Sequence, residues 1–278
     1  MLKQVANKIV RKEQSHCTDI DYLLSYHEKN GRYPLFQQVL IETRTDCNGH
    51  CPFCPQHYNQ KKLGIMTWDC YCRVIDQLCE IGYNGRVALM ISNEPLLETR
   101  LVDMIQYAKK RSPRLFLDIT TNGRLLNLEV VDHFFTIGLD NINVNDYRGD
   151  RDQYPDRLSP NLEPIQEAYS NNAKITFQKR RLDELWPNYG GNIPQERQSQ
   201  HSGFCNFPFR KLNIAYDGSI ILCCDDFMYK TSFGNVMERS LVDCWNDPKY
   251  DEYRSALLQN KRIGLCAKCN DGQDYSVF

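Results

Sequence analysis

The sequence predicts an α/β fold of parallel βαβ units, and three observations carry that prediction. Short apolar runs that read as strands alternate, from residue 38 to residue 178, with segments whose apolar residues recur at helical spacing. Such alternation argues for a parallel sheet with crossover helices, without by itself deciding between a barrel and an open sheet. Polar residues gather just past the strand ends, where folds of this kind place their chemistry.

Composition narrows the class. A chain of 278 residues forms one large domain, or one with a small companion. Lys and Arg number 34 against 35 Asp and Glu, a net charge of -1, so no basic nucleic-acid surface is expected. No apolar run reaches the roughly 18 residues that a membrane span needs. Met1 to Lys12 is charged and lacks a signal-peptide core, so a cytoplasmic protein is expected. Thirteen cysteines are an odd count, which with no secretion signal argues against a disulfide framework and for clustered metal ligands.

Taken in order, residues 1–37 read as a helical leader. Thr18-Asp19-Ile20-Asp21 is a variant capping box for a helix of about ten residues, which Gly31 ends, and Pro34 precedes the first strand. Strand one covers 38–44. Thr67 caps a helix to about Ile81, with Val74, Ile75 and Leu78 on one side, and Gly82 and Gly85 end it. Further strands are expected at 86–91, 115–120, 139–144 and 174–178, separated by helices at 101–108, 130–135 and 162–169. A polar linker follows at 195–203. Leu212 to Tyr216 and Ser219 to Leu222 then flank Asp217-Gly218, a signal for a hairpin with a two-residue turn. Ser240 and Asp243 form a second variant capping box.

The chemistry sits in two cysteine patterns. Cys47-Asn-Gly-His-Cys51-Pro-Phe-Cys54 places three thiols just after strand one. Thiolates are soft ligands suited to iron-sulfur clusters, and three of them leave one iron of a four-iron cluster open to a small molecule. A structural zinc site is the competing reading, but zinc wants four ligands and no fourth cysteine lies near in sequence. Further on, the hairpin draws Cys205 and Cys223 together, and Cys266-Ala-Lys-Cys269 adds two more thiols. From spacing alone that closed set suits zinc or a cluster. The other cysteines, Cys17, Cys70, Cys72, Cys79, Cys224 and Cys244, read mostly as buried apolar fillers. The polar strand-end groups are Ser92-Asn93-Glu94-Pro95, Thr121-Asn122-Gly123, Asn145-Asp146 and Lys179-Arg180-Arg181, each equally readable as turn residues.

The first cysteine pattern resembles the cluster motif of radical S-adenosylmethionine (SAM) enzymes, down to the aromatic Phe53 before the third cysteine. The second resembles the twitch domain of that family, the short form of the SPASM domain, with Gly234-Asn235-Val236 and Ser240 to Trp245 running into its helix. The resemblance implies a partial (βα)6 TIM-type barrel over 38–200, and a twitch domain, a β-hairpin plus helix, over 201–278. It implies two [4Fe-4S] clusters, one on Cys47, Cys51 and Cys54 that binds SAM, and an auxiliary one on Cys205, Cys223, Cys266 and Cys269. It places Glu94 against the SAM amino group, with Ser92 assisting and Asn93 replacing the family's usual second glycine. Asn122, Asn143 and Gly190 correspond to further SAM-contacting segments, Gly190 near the adenine. Lys179, Arg180 and Arg181 stay open as a cation for SAM or substrate, or as solvated charges.

The resemblance implies that a 5'-deoxyadenosyl radical takes hydrogen from an unactivated carbon. An electron lost to the auxiliary cluster and a proton lost to a base then oxidise a hydroxyl, as in relatives acting on an amino-cyclitol. A thiol returning hydrogen gives an epimer instead, with Cys224 and Cys244 the candidate donors. Crosslinking of a peptide is a third outcome. The short leader favours a hydroxylated small metabolite, a sugar or cyclitol, over a peptide. Asp146, with Tyr147, Arg148, Asp150 and Arg151, forms a polar loop suited to substrate. An external reductant such as flavodoxin or ferredoxin is implied. A non-enzymatic electron carrier or zinc scaffold predicts no SAM cleavage.

Overall fold

Runs of apolar residues at every second position must bury one face, and here they pair edge to edge into a seven-stranded sheet. A computed structural model describes residues 19–49, 51–59, 61–146, 162–179, 187–194 and 203–271. The strands are β1 (Gln38–Ile41), β2 (Arg86–Ala88), β3 (Phe116–Thr121), β4 (Asn141–Asp146), β5 (Ile175–Lys179), β6 (Lys211–Ile214) and β7 (Ile220–Ile221). Their order is β5-β4-β3-β2-β1-β6-β7, parallel throughout except for the β6–β7 pair. Expected strand one was longer, because Glu42 still bonds to Ile214 but Arg44 has left the sheet to bridge with Ile65.

The helices are α1 (Ile20–Asn30), α2 (Pro55–Tyr58), α3 (Trp68–Glu80), α4 (Leu101–Arg111), α5 (Leu128–Thr136), α6 (Leu162–Ala168), α7 (Phe207–Arg210), α8 (Leu241–Trp245) and α9 (Pro248–Leu258). Asp19, not Thr18, caps α1: its carboxylate accepts from the Asp21 and Tyr22 N–H groups at 3.0 and 3.2 Å. Thr67 caps α3, accepting from Cys70 N–H at 3.2 Å, as its sequence predicts. α5 starts at Leu128, two residues early, because Asn127 supplies a cap to Val130 N–H at 2.8 Å. The sequence reading missed α9, although Asp247-Pro248 is a start signal: Asp247 caps and proline opens the first turn.

Register sorts the side chains onto two faces. Val39, Ile41, Val87, Leu117, Ile119, Ile142, Val144, Leu212 and Ile214 form one core with Val74, Ile75 and Leu78 of α3 and Met104 and Ile105 of α4. Each of these fully buried aliphatic side chains stabilises the fold by about 1.5–3 kcal/mol. The opposite face carries Gln38, Leu40, Arg86, Ala88, Asp118, Thr120, Asn141, Asn143, Asn145, Gln178, Lys211 and Asn213. That face is largely polar, yet Asp118, Asn143 and Asn213 are buried. Buried polar side chains on the face opposite the helices mark the inside of a sheet curled into a partial barrel.

The hairpin differs from its sequence signal in two ways. β6 pairs with β1 in parallel, so the first hairpin strand is also the sixth strand of the barrel sheet. Its turn is not a two-residue Asp-Gly turn. Ile214 pairs with Ile220, the turn bond runs from Gly218 N–H to Ala215 C=O, and Gly218 has φ +85° while Asp217 stays out of the left-handed region. That is a turn centred on Tyr216-Asp217 followed by a left-handed glycine, which only glycine takes without strain.

Candidate active site and metal centres

The chain leaves β1 straight into the first cysteine loop, at the C-terminal edge of the sheet. Gly49 lies between two of the thiols. Its N–H donates to Cys47 Sγ at 3.2 Å, and a Cβ there would lie 3.3 Å from Cys47 Sγ and 3.8 Å from Cys51 Sγ. Cys54 follows at the N-terminus of α2, its N–H bonded to Cys51 C=O at 3.0 Å, with Pro55 opening the helix. Burial pushes the Cys47 thiol up to about 12 and the Cys54 thiol up to about 11, and their negative neighbours push the same way. Thiols held together in a buried loop that disfavours their ionisation suit a positively charged iron centre, which would make the thiolates favourable.

Glu94 stands beside this loop, 2% exposed. Its Oε1 accepts from Thr121 Oγ1 at 2.6 Å and from Leu96 N–H at 3.1 Å, and its Oε2 from Asn122 N–H at 2.9 Å. Burial raises its pKa, and these donors oppose the rise. Its own N–H donates to Asp46 C=O at 3.1 Å, which ties the strand-two loop to the cysteine loop. Asn122 completes the tie: Nδ2 donates to Asn48 Oδ1 at 2.7 Å and lies 3.8 Å from Cys47 Sγ. Arg124 clamps the same loop through Asn48 C=O at 2.6 Å. Cysteine loop, Glu94 and the Thr121-Asn122-Gly123 turn therefore form one unit.

The remaining expected contacts divide. Ser92 lies at this mouth, its C=O accepting from Gln56 Nε2 at 3.1 Å. Asn93 is buried and accepts from Ile91 N–H at 3.0 Å, and its Nδ2 has no partner among the described residues. Asn143 is on the inner face, where Nδ2 reaches Asp118 Oδ2 at 3.3 Å and Oδ1 has no partner among the described residues. Asp146 ends β4, buried, but on the strand face shared with Ile142 and Val144. Lys179 ends β5, exposed, opposite Asp146 in register. Arg180, Arg181, Tyr147, Arg148, Asp150, Arg151 and Cys17 lie outside the described residues. Gly190 is placed differently from expectation. Its neighbours belong to the second cysteine set: its N–H donates to the Cys269 sulfur, and a Cβ there would meet Leu265 Cδ1 at 2.6 Å.

Cys205, Cys223, Cys266 and Cys269 line one cavity, together with Phe207, Asp225, Arg262 and Leu265. β6 and β7 carry Cys223 back toward Cys205, while the 3₁₀ turn Gly264–Lys268 presents Cys266 and Cys269. Arg262 holds that turn, donating to Cys269 C=O at 3.1 Å and Asp271 C=O at 2.7 Å. Asn188 and Asn270 lock the 188–193 loop over it through bonds of 2.6 and 3.1 Å. Burial pushes Cys205 up to about 12, Cys266 up to about 11, and Cys223 and Cys269 well above the thiol range. Among the described residues no three His, Cys, Asp or Glu side chains close on one ion position. A four-iron cluster, which gives each thiolate its own iron, fits this donor set better than one tetrahedral zinc.

The two candidate hydrogen donors separate. Cys224 is not among the residues lining that cavity, though its thiol lies 3.8 Å from Asp225 Oδ1, and it packs against the cluster of Ile91, Ala215 and Ile221, as do Leu40 and Tyr229. Cys244 is fully buried in the main core on α8, its sulfur 2.7 Å from where a Gly234 Cβ would sit. No substrate reaches it there, so its expected donor role is withdrawn.

The sequence reading passed over the inner polar face. Arg86 pairs with Asp118 through two bonds, 2.9 and 2.7 Å, and donates to Gln38 Oε1 at 3.1 Å. Burial pushes the Asp118 carboxyl up, and the Arg86 guanidinium pulls it back. Also missed was a hydrogen-bonded trio, Glu42, Lys61 and Tyr229, of which Glu42 is buried and the other two half-buried. The strand alternation Asn141-Ile-Asn-Val-Asn145 was the available signal for the first.

Comparison with known proteins agrees with these two centres. Residues 41–161 match the radical SAM superfamily, and residues 205–270 match the iron-sulfur cluster-binding SPASM domain. The chain is 26% identical over 243 residues to the S-adenosyl-L-methionine-dependent 2-deoxy-scyllo-inosamine dehydrogenase of Niallia circulans, covering 85% of this chain and 94% of that protein. It is 27% identical over 102 residues, 37% of this chain and 28% of the relative, to a tungsten-containing aldehyde ferredoxin oxidoreductase cofactor-modifying protein of Pyrococcus furiosus. The fold matches the crystal structure of BtrN in complex with AdoMet and 2-DOIA, with TM-score 0.72, 24% identity, and coverage of 86% of this chain and 94% of that one. With its open cysteine triad and its closed cysteine tetrad, the chain carries a radical SAM domain over residues 41–161 and a SPASM-type iron-sulfur domain over residues 205–270, and is an enzyme of the radical SAM type.

Proposed function

We propose that this enzyme oxidises a secondary hydroxyl of an amino-cyclitol or related sugar-like metabolite to a ketone. The observation that carries the reading is the pairing of an open three-thiol site with a closed four-thiol site, on either side of a polar barrel mouth. When bound, SAM and the first cluster supply a 5'-deoxyadenosyl radical, and the second cluster supplies a one-electron acceptor. Cys47, Cys51 and Cys54 hold the first cluster, and Cys205, Cys223, Cys266 and Cys269 the second.

Glu94 receives the SAM amino group, its carboxylate aimed by Thr121, Leu96 and Asn122. Asn143 and Asn213 each hold a buried amide oxygen with no partner among the described residues, on the inner face, suited to hydroxyl or ammonium donors of a polar substrate. The similarity to a 2-deoxy-scyllo-inosamine dehydrogenase supports the same substrate class. The reductant is an external one-electron carrier of the flavodoxin or ferredoxin kind, which fits a cytoplasmic enzyme. Among the described residues no helix is long and apolar enough to cross a membrane.

The test is anaerobic turnover of 2-deoxy-scyllo-inosamine in deuterated water. The expected products are a ketone and 5'-deoxyadenosine, with no solvent deuterium at the reacting carbon. One observation favours a second reading, epimerisation: the Cys224 thiol packs on the inner face beside Leu40 and Ile91. That reading predicts an epimer with solvent deuterium at carbon, lost in Cys224→Ala. SAM cleavage without change in any hydroxylated probe would move the substrate to a peptide.

A further inference from the structure

A hydrogen-bonded trio, with Glu42 buried and Lys61 and Tyr229 half-buried, lies at the barrel mouth that the reaction outlined above leaves idle. Glu42 follows β1 on the inner face, in line with Gln38 and Leu40. Lys61 Nζ donates to Glu42 Oε1 at 3.2 Å and to the Tyr229 hydroxyl oxygen at 2.7 Å. The Tyr229 O–H in turn donates to Glu42 Oε2. The Ser92 N–H also reaches the Glu42 carboxylate. The Lys61 and Glu42 side chains are 6% and 0% exposed, and Lys61 Nζ sits 4.0 Å from the ring centres of both Phe227 and Tyr229.

Position is the second observation. Lys61 is near enough to the Cys54 thiol and the Asp226 carboxylate to feel both charges, and Asp226 N–H bonds to Cys223 C=O at 3.1 Å. The trio therefore stands between the two cysteine sets. A substrate that gives a hydrogen atom near one set and an electron to the other must also lie between them.

Backbone geometry is the third. Tyr229 has φ +51°, a conformation that bulky side chains rarely adopt. The Asp226 carboxylate enforces it, accepting from Lys230 N–H and Thr231 N–H, both at 2.8 Å, and from Thr231 Oγ1 at 2.5 Å. The held ring packs on the inner-face apolar patch of Ile91, Ala215 and Ile221. Phenylalanine would give the same packing, so packing does not account for the hydroxyl.

We propose that Tyr229 is the group that takes the substrate's hydroxyl proton and relays it to Glu42, with Lys61 positioning the tyrosine oxygen. This rests on the alcohol-oxidation reading. The steps balance. The C–H bond breaks as its hydrogen atom goes to the 5'-deoxyadenosyl radical. The substrate O–H proton moves to the free lone pair of the Tyr229 oxygen, while the Tyr229 proton moves to Glu42. One electron leaves to the one-electron acceptor held by the second cysteine set, and C=O forms. Burial pushes the Lys61 ammonium down and the Glu42 carboxylate pulls it back up, and its positive charge offsets the negative charge that passes through the tyrosine oxygen. Burial raises the Glu42 carboxyl, making it a better proton acceptor than an exposed glutamate. Burial and the Glu42 charge hold the Tyr229 hydroxyl protonated, as a relay requires.

The experiment compares reconstituted wild type, Tyr229→Phe, Glu42→Gln and Lys61→Met with 2-deoxy-scyllo-inosamine, SAM and reductant under anaerobic conditions. Ketone and 5'-deoxyadenosine are both quantified, and samples are freeze-quenched for electron paramagnetic resonance. The expected result for Tyr229→Phe is a ketone to 5'-deoxyadenosine ratio lower by at least about a hundredfold, the lower margin of a lost acid–base group. A carbon-centred substrate radical, not seen in wild type, should accumulate in Tyr229→Phe and in Lys61→Met. A wild-type ratio in Tyr229→Phe, with no radical, overturns the proposal. Should Tyr229→Phe lose iron or fold, Glu42→Gln decides by the same two readouts. A wild type that cleaves SAM but makes no ketone overturns the oxidation reading, and the relay with it, and is distinguished by the parent enzyme's own products.

Discussion

The two cysteine sets solve opposite problems. The first takes all its thiols from one loop of eight residues, Cys47 to Cys54, and leaves them half-buried. The second collects its thiols from three segments as far apart as Cys205 and Cys269, buries three of them, and seals the cavity with Arg262, Leu265 and the 188–193 loop. An open site must admit a ligand, so it is built on a short loop at the sheet edge and borrows its remaining chemistry, Glu94 and Asn122, from neighbouring strands. A closed site admits nothing, so its ligands double as the packing that holds the C-terminal third of the described chain to β6 and β7.

That contrast predicts the largest difference under ligand removal. Cys54→Ala should abolish 5'-deoxyadenosine formation and lower iron from about eight to about four per chain, with little change in melting temperature. Cys223→Ala removes a buried ligand that also anchors the hairpin. It should lose a similar amount of iron and also lower the melting temperature by at least about 5 °C, corresponding to a loss of about 2 kcal/mol or more. Iron analysis with thermal melts reads both. Equal melting temperatures for the two variants would break the contrast between an open and a closed site.

A smaller effect tests what the open site borrows. Glu94→Gln should weaken SAM binding, measured by calorimetry, by about ten- to a hundredfold, the worth of one charge-assisted hydrogen bond. A pH series adds a sign. Burial raises the Glu94 carboxyl above its ordinary 4.5, so its contribution to ligand-free stability is fully present below that value and is lost as pH rises through the raised one. Glutamine carries no such loss. The melting temperature of Glu94→Gln relative to wild type should therefore climb as the pH rises above the ordinary carboxylate value of 4.5. A constant difference would mean that the carboxyl is not raised by its burial.

How much of this was legible in the sequence follows from range. The first cysteine loop was legible because its ligands are neighbours along the chain. The five-strand alternation was legible because hydrophobic period is local, and Thr67 began one helix and Gly31 ended another where they were expected to. β6 was legible as a strand but not as a barrel strand, because pairing with β1 joins residues 38–41 to 211–214 and nothing local records the partner. The hairpin turn was misread because Asp-Gly favours a two-residue turn by propensity, whereas the Ile214–Ile220 register leaves five residues to span. Gly190 was read as a contact of the first site for the same reason: its role depends on Leu265 and Cys269, more than seventy positions away. Glu42, Lys61 and Tyr229 were invisible because each is an ordinary residue until the fold buries them together.

Two glycines give the finest test of open against closed. Gly190 has φ +62°, and a Cβ there would meet Leu265 Cδ1 at 2.6 Å and Asp225 C=O at 3.3 Å. Gly190→Ala should strain the backbone, shift the N–H from Cys269, and reduce iron retained by the second set, with a cost of about 1–3 kcal/mol. Gly49 keeps an ordinary backbone, and the nearest atom to a Cβ there is Cys47 Sγ at 3.3 Å. A loop on the sheet edge has room to give by the few tenths of an ångström required. Gly49→Ala should retain full iron and lower the 5'-deoxyadenosine rate by less than about tenfold, under 1.4 kcal/mol of barrier. Loss of iron in Gly49→Ala comparable to that in Gly190→Ala would show that the first loop is as rigidly fitted as the second cavity, and that its openness is confined to one coordination position.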